Sequence, residues 1–108
     1  MGEDQHTIEE KEVTELTGQD SGCWQVITVQ SEHRFDLDAG TVERMAGQDA
    51  LILHDDGRLR SLRSIERCRV GGRGHWTLYL DNFLVEFEGH LSTDIVRIVR
   101  LPMKARQI

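Results

Sequence analysis

Two aspartates, four histidines, two cysteines and a run of arginines are the residues of this 108-residue chain whose types and spacing bear on chemistry. Asp36 and Asp38 stand two apart in "RFDLD". In an extended chain that spacing puts both carboxylates on one face, as an acid–base pair or a cation site requires. His33, His54, His75 and His90 all fall near expected turns, where a folded chain can bring imidazoles together, although none has the H-x-x-x-H spacing of a metal site. Arg58, Arg60, Arg63, Arg67, Arg69 and Arg73 place six arginines within sixteen residues, with Glu66 the one acid among them. Such a density of guanidinium is what contacts to phosphates or acidic partners need.

Each group also has a plainer reading. Aspartates beside a hairpin bond the N–H groups of the turn. "HDDG" opens like a calcium loop but lacks the alternating ligands and closing glutamate. Cys23 and Cys68 show no C-x-x-C spacing, and free cysteines in apolar stretches behave as small buried hydrophobes. There is no G-x-S-x-G, and the GxxG of residues 71–74 joins two strands rather than two helices, so it is not a KH loop. From Arg58 the arginines alternate with apolar or small residues. That predicts strands with Arg58 and Arg60 on one face, Leu59 on the other, and arginine on the wet side. Tyr79 is the one aromatic residue that alternation leaves on an outer face beside them.

The elements that would position these residues are short strands. "CWQVITVQ" (23–30) reads as a strand with apolar residues on both faces, and "SEH" as the turn after it. "RFDLDAGTVERM" reads as a hairpin reversing at Ala39-Gly40, with Phe35 and Leu37 inward and Val42 and Met45 on the return face. "LILH" is a further short strand before a turn at Asp55-Asp56-Gly57. After "GGRG", "HWTLYL" puts Trp76, Leu78 and Leu80 on one face. "DN" then turns the chain into "FLVEFE", with Phe83, Val85 and Phe87 inward. "STDIVRIVRLP" suits either a capped helix or a last strand, and "TIEEKEVTELTG" either a helix or a strand over Glu12 to Thr17. Trp24, Phe35, Trp76 and Phe87 form the expected aromatic core. The fold expected is mainly β, a small antiparallel barrel or sandwich of about seven or eight short strands, with room for a short helix near either terminus.

Charge divides the chain. Residues 1–22 hold seven acids and one lysine, whereas the remaining twelve acids are matched by twelve Lys and Arg, so the whole net charge of −6 lies in the first segment. Residues 1–21 are read as an acidic, disordered tail and 22–108 as one β domain. The tail has a second reading, in which "EVTELT" adds an edge strand anchored by Val13 or Leu16 and offers its acids to the arginines. The N-terminus has no apolar core of a signal peptide, and no run reaches the length of a membrane span, so a reduced, cytoplasmic setting is expected, without membrane.

The motifs W-x-V-x-T (Trp24, Val26, Thr28), an aromatic before D-L-D (Phe35–Asp38), T-V-x-R (Thr41–Arg44), D-G (Asp56, Gly57), C-x-V-G (Cys68–Gly71) and S-T-x-x-V-x-R-I (Ser92–Ile98) resemble a family of small actinobacterial and actinophage proteins. The resemblance covers most of residues 23–102, supports a β fold and offers no active site to carry over; no cofactor is expected. On these grounds the expected function is a non-enzymatic protein-interaction or regulatory module. Its candidate surface is Arg58, Arg60, Arg63, Arg67, Arg69, Arg73 and Tyr79, and an edge strand is open to self-association. A nucleic-acid-binding domain using the same arginines is the first alternative, and a small metal-dependent hydrolase built on Asp36, Asp38 and the histidines the second.

Overall fold

The computed structural model describes residues 11–47, 56–80 and 86–102. The expected strand at 51–54, the turn at 81–82, His54, Phe83 and Val85 lie outside the described residues. Seven strands follow in chain order: β1 (Glu12–Val13), β2 (Cys23–Thr28), β3 (Ser31–Asp36), β4 (Thr41–Ala46), β5 (Leu59–Arg67), β6 (Arg73–Tyr79) and β7 (Phe87–Arg100). Strands β2 to β7 pair antiparallel in sequence order, and β7 also pairs with β2. A six-stranded barrel is thereby closed, with β1 added against β7. No helix occurs among the described residues; of the two regions left open between helix and strand, the first contributes strand at Glu12–Val13 and the second lies in the strand that ends at Arg100.

The β2–β3 reversal is tighter than the sequence suggests. Only Val29 and Gln30 lie outside the strands, and Ser31 to His33, expected as the turn, already belong to β3. Thr28 accounts for the shift: its buried Oγ1 accepts the Ser31 N–H at 2.9 Å and the Gln30 N–H at 3.3 Å. The β3–β4 turn forms as expected, with Gly40 at φ 74, in the left-handed region that favours glycine. Asp36 settles this turn by accepting the N–H groups of Asp38 and Ala39 at 3.1 and 3.0 Å. Asp38 in turn accepts the Gly22 N–H at 3.1 Å.

β7 runs for fourteen residues and closes the barrel. Its first half pairs with β6, from Tyr79↔Phe87 to Arg73↔Asp94. Its second half pairs with β2 on one side and β1 on the other. Ile95, Val96, Ile98 and Val99 favour the extended chain, and the ladder on both edges satisfies a backbone that a helix would take out of the barrel.

From Lys11 onward, the segment expected as a disordered tail is part of the fold. The segment after β1 seals the end of the barrel: Leu16 N–H donates to the Cys68 carbonyl and Val70 N–H to the Thr14 carbonyl, both at 2.9 Å, while Leu16 itself is 1% exposed. Glu12 meets Arg97 at 2.8 Å, and Glu15 meets Arg69 at 3.7 Å. These exposed ion pairs add at most about 1 kcal/mol each, so the anchor is apolar. We expect Leu16→Ala to cost about 3 kcal/mol in urea unfolding, as a buried leucine should.

Trp24, Phe35 and Trp76 occupy the core with Leu16, Val26, Val42, Cys68, Ile95 and Ile98. Gly74 makes room for Trp76, since a Cβ there would collide with the indole ring. Phe87 does not join them; it is 48% exposed. Leu78 points into the barrel, and the register Leu78↔Glu88 turns Glu88 inward and Phe87 outward. The same inversion governs the start of β5. Leu59 is 63% exposed, whereas the Arg60 side chain is only 10% exposed and reaches Glu88 at 3.0 Å. Two bulges then shift the phase of β5, so that its inward residues are Arg60, Leu62, Ile65 and Cys68 rather than every second one.

Candidate functional site

Strand register assembles one cavity, of about 280 Å³, in the mouth of the barrel. His33 lies opposite Arg44 across β3 and β4, Val42 opposite Arg60 across β4 and β5, and Trp76 opposite His90 across β6 and β7. Leu78 stands opposite Glu88 in that last pair of strands, and all eight side chains line the space. Its floor is the Trp76 indole. His90 stacks on it with centroids 5.1 Å apart and planes 28° apart, while His33 and Phe35 meet it edge-on at 4.8 and 5.0 Å.

Charged side chains form the walls. Arg44 Nη1 donates to Asp56 at 2.5 Å, and the following Gly57, at φ 81, donates its N–H to the Arg44 carbonyl at 2.8 Å. Arg60 Nη2 donates to Glu88 at 3.0 Å and to the Tyr79 carbonyl at 3.3 Å. Buried imidazoles in such a setting are neutral. Burial pushes the His33 pKa down to about 3, helped by the neighbouring His90 and Arg44, and burial with Arg44 also lowers that of His90. His33 is further tied into a hydroxyl chain: its Nε2 meets Ser31 Oγ at 2.8 Å, Ser31 Oγ meets Thr28 Oγ1 at 2.9 Å, and Thr93 Oγ1 donates to Thr28 Oγ1 at 2.9 Å.

The barrel wall splits the arginine run. Arg58 and Arg60 line the cavity. Arg63 lies on the outer surface, its guanidinium carbon 3.7 Å above the Phe87 ring centroid. Tyr79 is half-buried and pairs with Phe87, and Arg67 is exposed opposite His75, which in turn faces the exposed Leu91. Arg69 pairs with Glu15 at the sealed end, and Arg73 Nε donates to the Ser92 carbonyl at 2.8 Å. The seven expected residues therefore make no single surface.

His33 and His90 do meet, with ring centroids 5.4 Å apart, but on Trp76. Asp36 is on the opposite face of β3 from His33, engaged in its turn. Among the described residues no three His, Cys, Asp or Glu side chains gather to hold a metal ion. Both cysteines are free; burial drives the Cys68 thiol up to about 12, which keeps it protonated and unreactive. No helix among the described residues is long and apolar enough to cross a membrane.

Arg44, Asp56, Glu88 and the exposed Phe87 were not foreseen as site residues. A signal for Arg44 was present: Val42 points inward, so Arg44, two residues on, does too, and Met45 turns away. For Glu88 there was none, because Phe87 next to it is the natural core candidate. Compared with protein-family models, curated proteins and solved structures, the chain matches none.

Proposed function

We propose that the protein is a non-enzymatic protein-interaction module that docks a partner on the outer surface of β5, β6 and β7. One observation carries this reading: the half-exposed Phe87 ring, held under the Arg63 guanidinium beside Tyr79. Exposed aromatic and arginine side chains dominate the energetics of protein interfaces. Leu91 and Arg67 continue that face with apolar and cationic character, which suits an acidic segment bearing apolar side chains. The two free thiols accord with a reducing cytoplasm as its setting.

A second reading rests on the same ring: single-stranded nucleic acid stacks bases on exposed aromatics flanked by arginine. Affinity capture with the wild-type chain, with Phe87→Ser and with Arg34→Ala as an exposed control on β3 separates the two. The protein reading expects a partner held by the wild type and by Arg34→Ala and lost with Phe87→Ser. Saturable binding of oligonucleotides at low salt, abolished by Phe87→Ser, would instead establish the nucleic-acid reading. A partner that ignores Phe87→Ser would remove this face from the account.

A further inference from the structure

The cavity in the barrel mouth has no part in the outer-face reading, and its composition is unusual for a space that only needs filling. Asp56 and Arg60 expose 8% and 10% of their side chains, a costly placement for charges where apolar residues would pack as well. These charges serve the protein itself: Arg44 holds Asp56, Arg60 holds Glu88 and the Tyr79 carbonyl, and Arg58 is engaged as well. An ion entering the mouth would have to break such a contact before gaining a partner of its own. What the wall leaves open is the apolar surface of Val42, Trp76 and Leu78, and one imidazole. His33 gives its Nε2 to Ser31, whereas the half-buried His90 is stacked on Trp76 and has no hydrogen-bond partner among the described residues. Burial and the nearby Arg44 keep the His90 ring neutral, so it carries one N–H donor and one acceptor nitrogen.

We propose that this cavity is a binding site for a small uncharged aromatic molecule carrying one hydroxyl or ring N–H. The ring rests against Val42, Trp76 and Leu78, and its hydroxyl or N–H donates to the acceptor nitrogen of His90. The engaged charges of the wall select against an ionic ligand, because any gain would be set against a broken pair. His90 selects against a plain hydrocarbon, which would cover the imidazole and leave it without a partner. A volume of about 280 Å³ is at the lower limit for small-molecule pockets and fits one substituted ring, and the mouth of a β-barrel is a common place for such a site.

The test is a titration of the full chain with phenol, toluene and benzoate, followed through backbone amide shifts. Concentrations extend to about 5 mM, above the Kd of a millimolar site. Phenol is expected to give saturable shifts at Val42, Trp76, Gly89 and His90, and none at Leu16 or Val70 of the sealed end. Toluene has the same ring without the hydroxyl and should bind there about fivefold more weakly, the effect of one neutral hydrogen bond. Benzoate should give no saturable shifts. His90→Phe keeps a ring on Trp76 but removes both nitrogens, so phenol and toluene should bind that variant equally. Absence of saturable shifts with phenol, equal affinity of the wild type for phenol and toluene, benzoate binding as tight as phenol, or a phenol preference that survives in a folded His90→Phe variant would each overturn the proposal. If the variant does not fold, the three wild-type titrations decide. None of these results bears on the Phe87 face, so the two readings fail separately.

Discussion

Lowering the pH from 6.5 to 4.5 is expected to cost this barrel about 2 kcal/mol through His33 alone. In the folded chain the imidazole is buried on Trp76 and hydrogen-bonded to Ser31, and its pKa is pushed down to about 3 from the ordinary 6.5. Below 6.5 the unfolded chain takes up a proton that the folded chain refuses. The stability is therefore complete above pH 6.5 and declines as the pH falls toward 3, with an upper limit of about 4–5 kcal/mol. His90 has a pKa lowered in the same direction and adds to the slope. Chemical unfolding of the wild type and of His33→Leu at several pH values isolates the contribution, since carboxylate titration is common to both. The difference in stability between wild type and variant should shrink steadily on acidification. Parallel curves would mean that His33 is not held neutral.

Replacing Trp76 by alanine should cost about 3–5 kcal/mol. The ring is 1% exposed, floors the cavity, and meets Phe35, His33 and His90 at 4.8 to 5.1 Å. Its loss would join the cavity to the core and leave two imidazoles without their packing surface. Small domains have roughly 5–15 kcal/mol in total, so a large part of the stability goes with it. Thermal unfolding reads the result directly. An unchanged melting temperature would place Trp76 on the wrong face of β6.

Where one phase of a strand is apolar and the other polar, the fold was legible from sequence. Phe35, Trp76 and Leu78 turn inward as their alternation indicates, and Asp36 and Gly40 make the turn their chemistry suits. Legibility ends in β5 and in the first half of β7, for a physical reason. In "RLRSL" and "EFEGH" one phase is apolar and the other charged, and burial of hydrocarbon favours Leu59 and Phe87 inside. The barrel does the opposite because inversion of both strands lets Arg60 meet Glu88, a pairing 28 residues apart that no local pattern reports. Bulges then return Ile65 and Cys68 to the core, which the period of two could not anticipate. Leu16 was legible only as an anchor for one of two readings of the acidic segment, and its fit beneath Cys68 decides between them. The candidate cavity follows from the inversion, so its acidic half was invisible and its arginines were assigned to water.

That inversion is the claim on which the cavity and the outer face both depend. It is tested most directly by comparing Leu59→Ser with Arg60→Ser in urea unfolding. With Arg60 inside, Leu59→Ser should change stability by less than about 0.5 kcal/mol, as exposed substitutions do. Arg60→Ser, by removing a side chain only 10% exposed together with its bonds to Glu88 and to the Tyr79 carbonyl, should cost about 1–3 kcal/mol. The reverse order, with Leu59→Ser the damaging change, would put arginine back on the wet face of β5 and contradict the site.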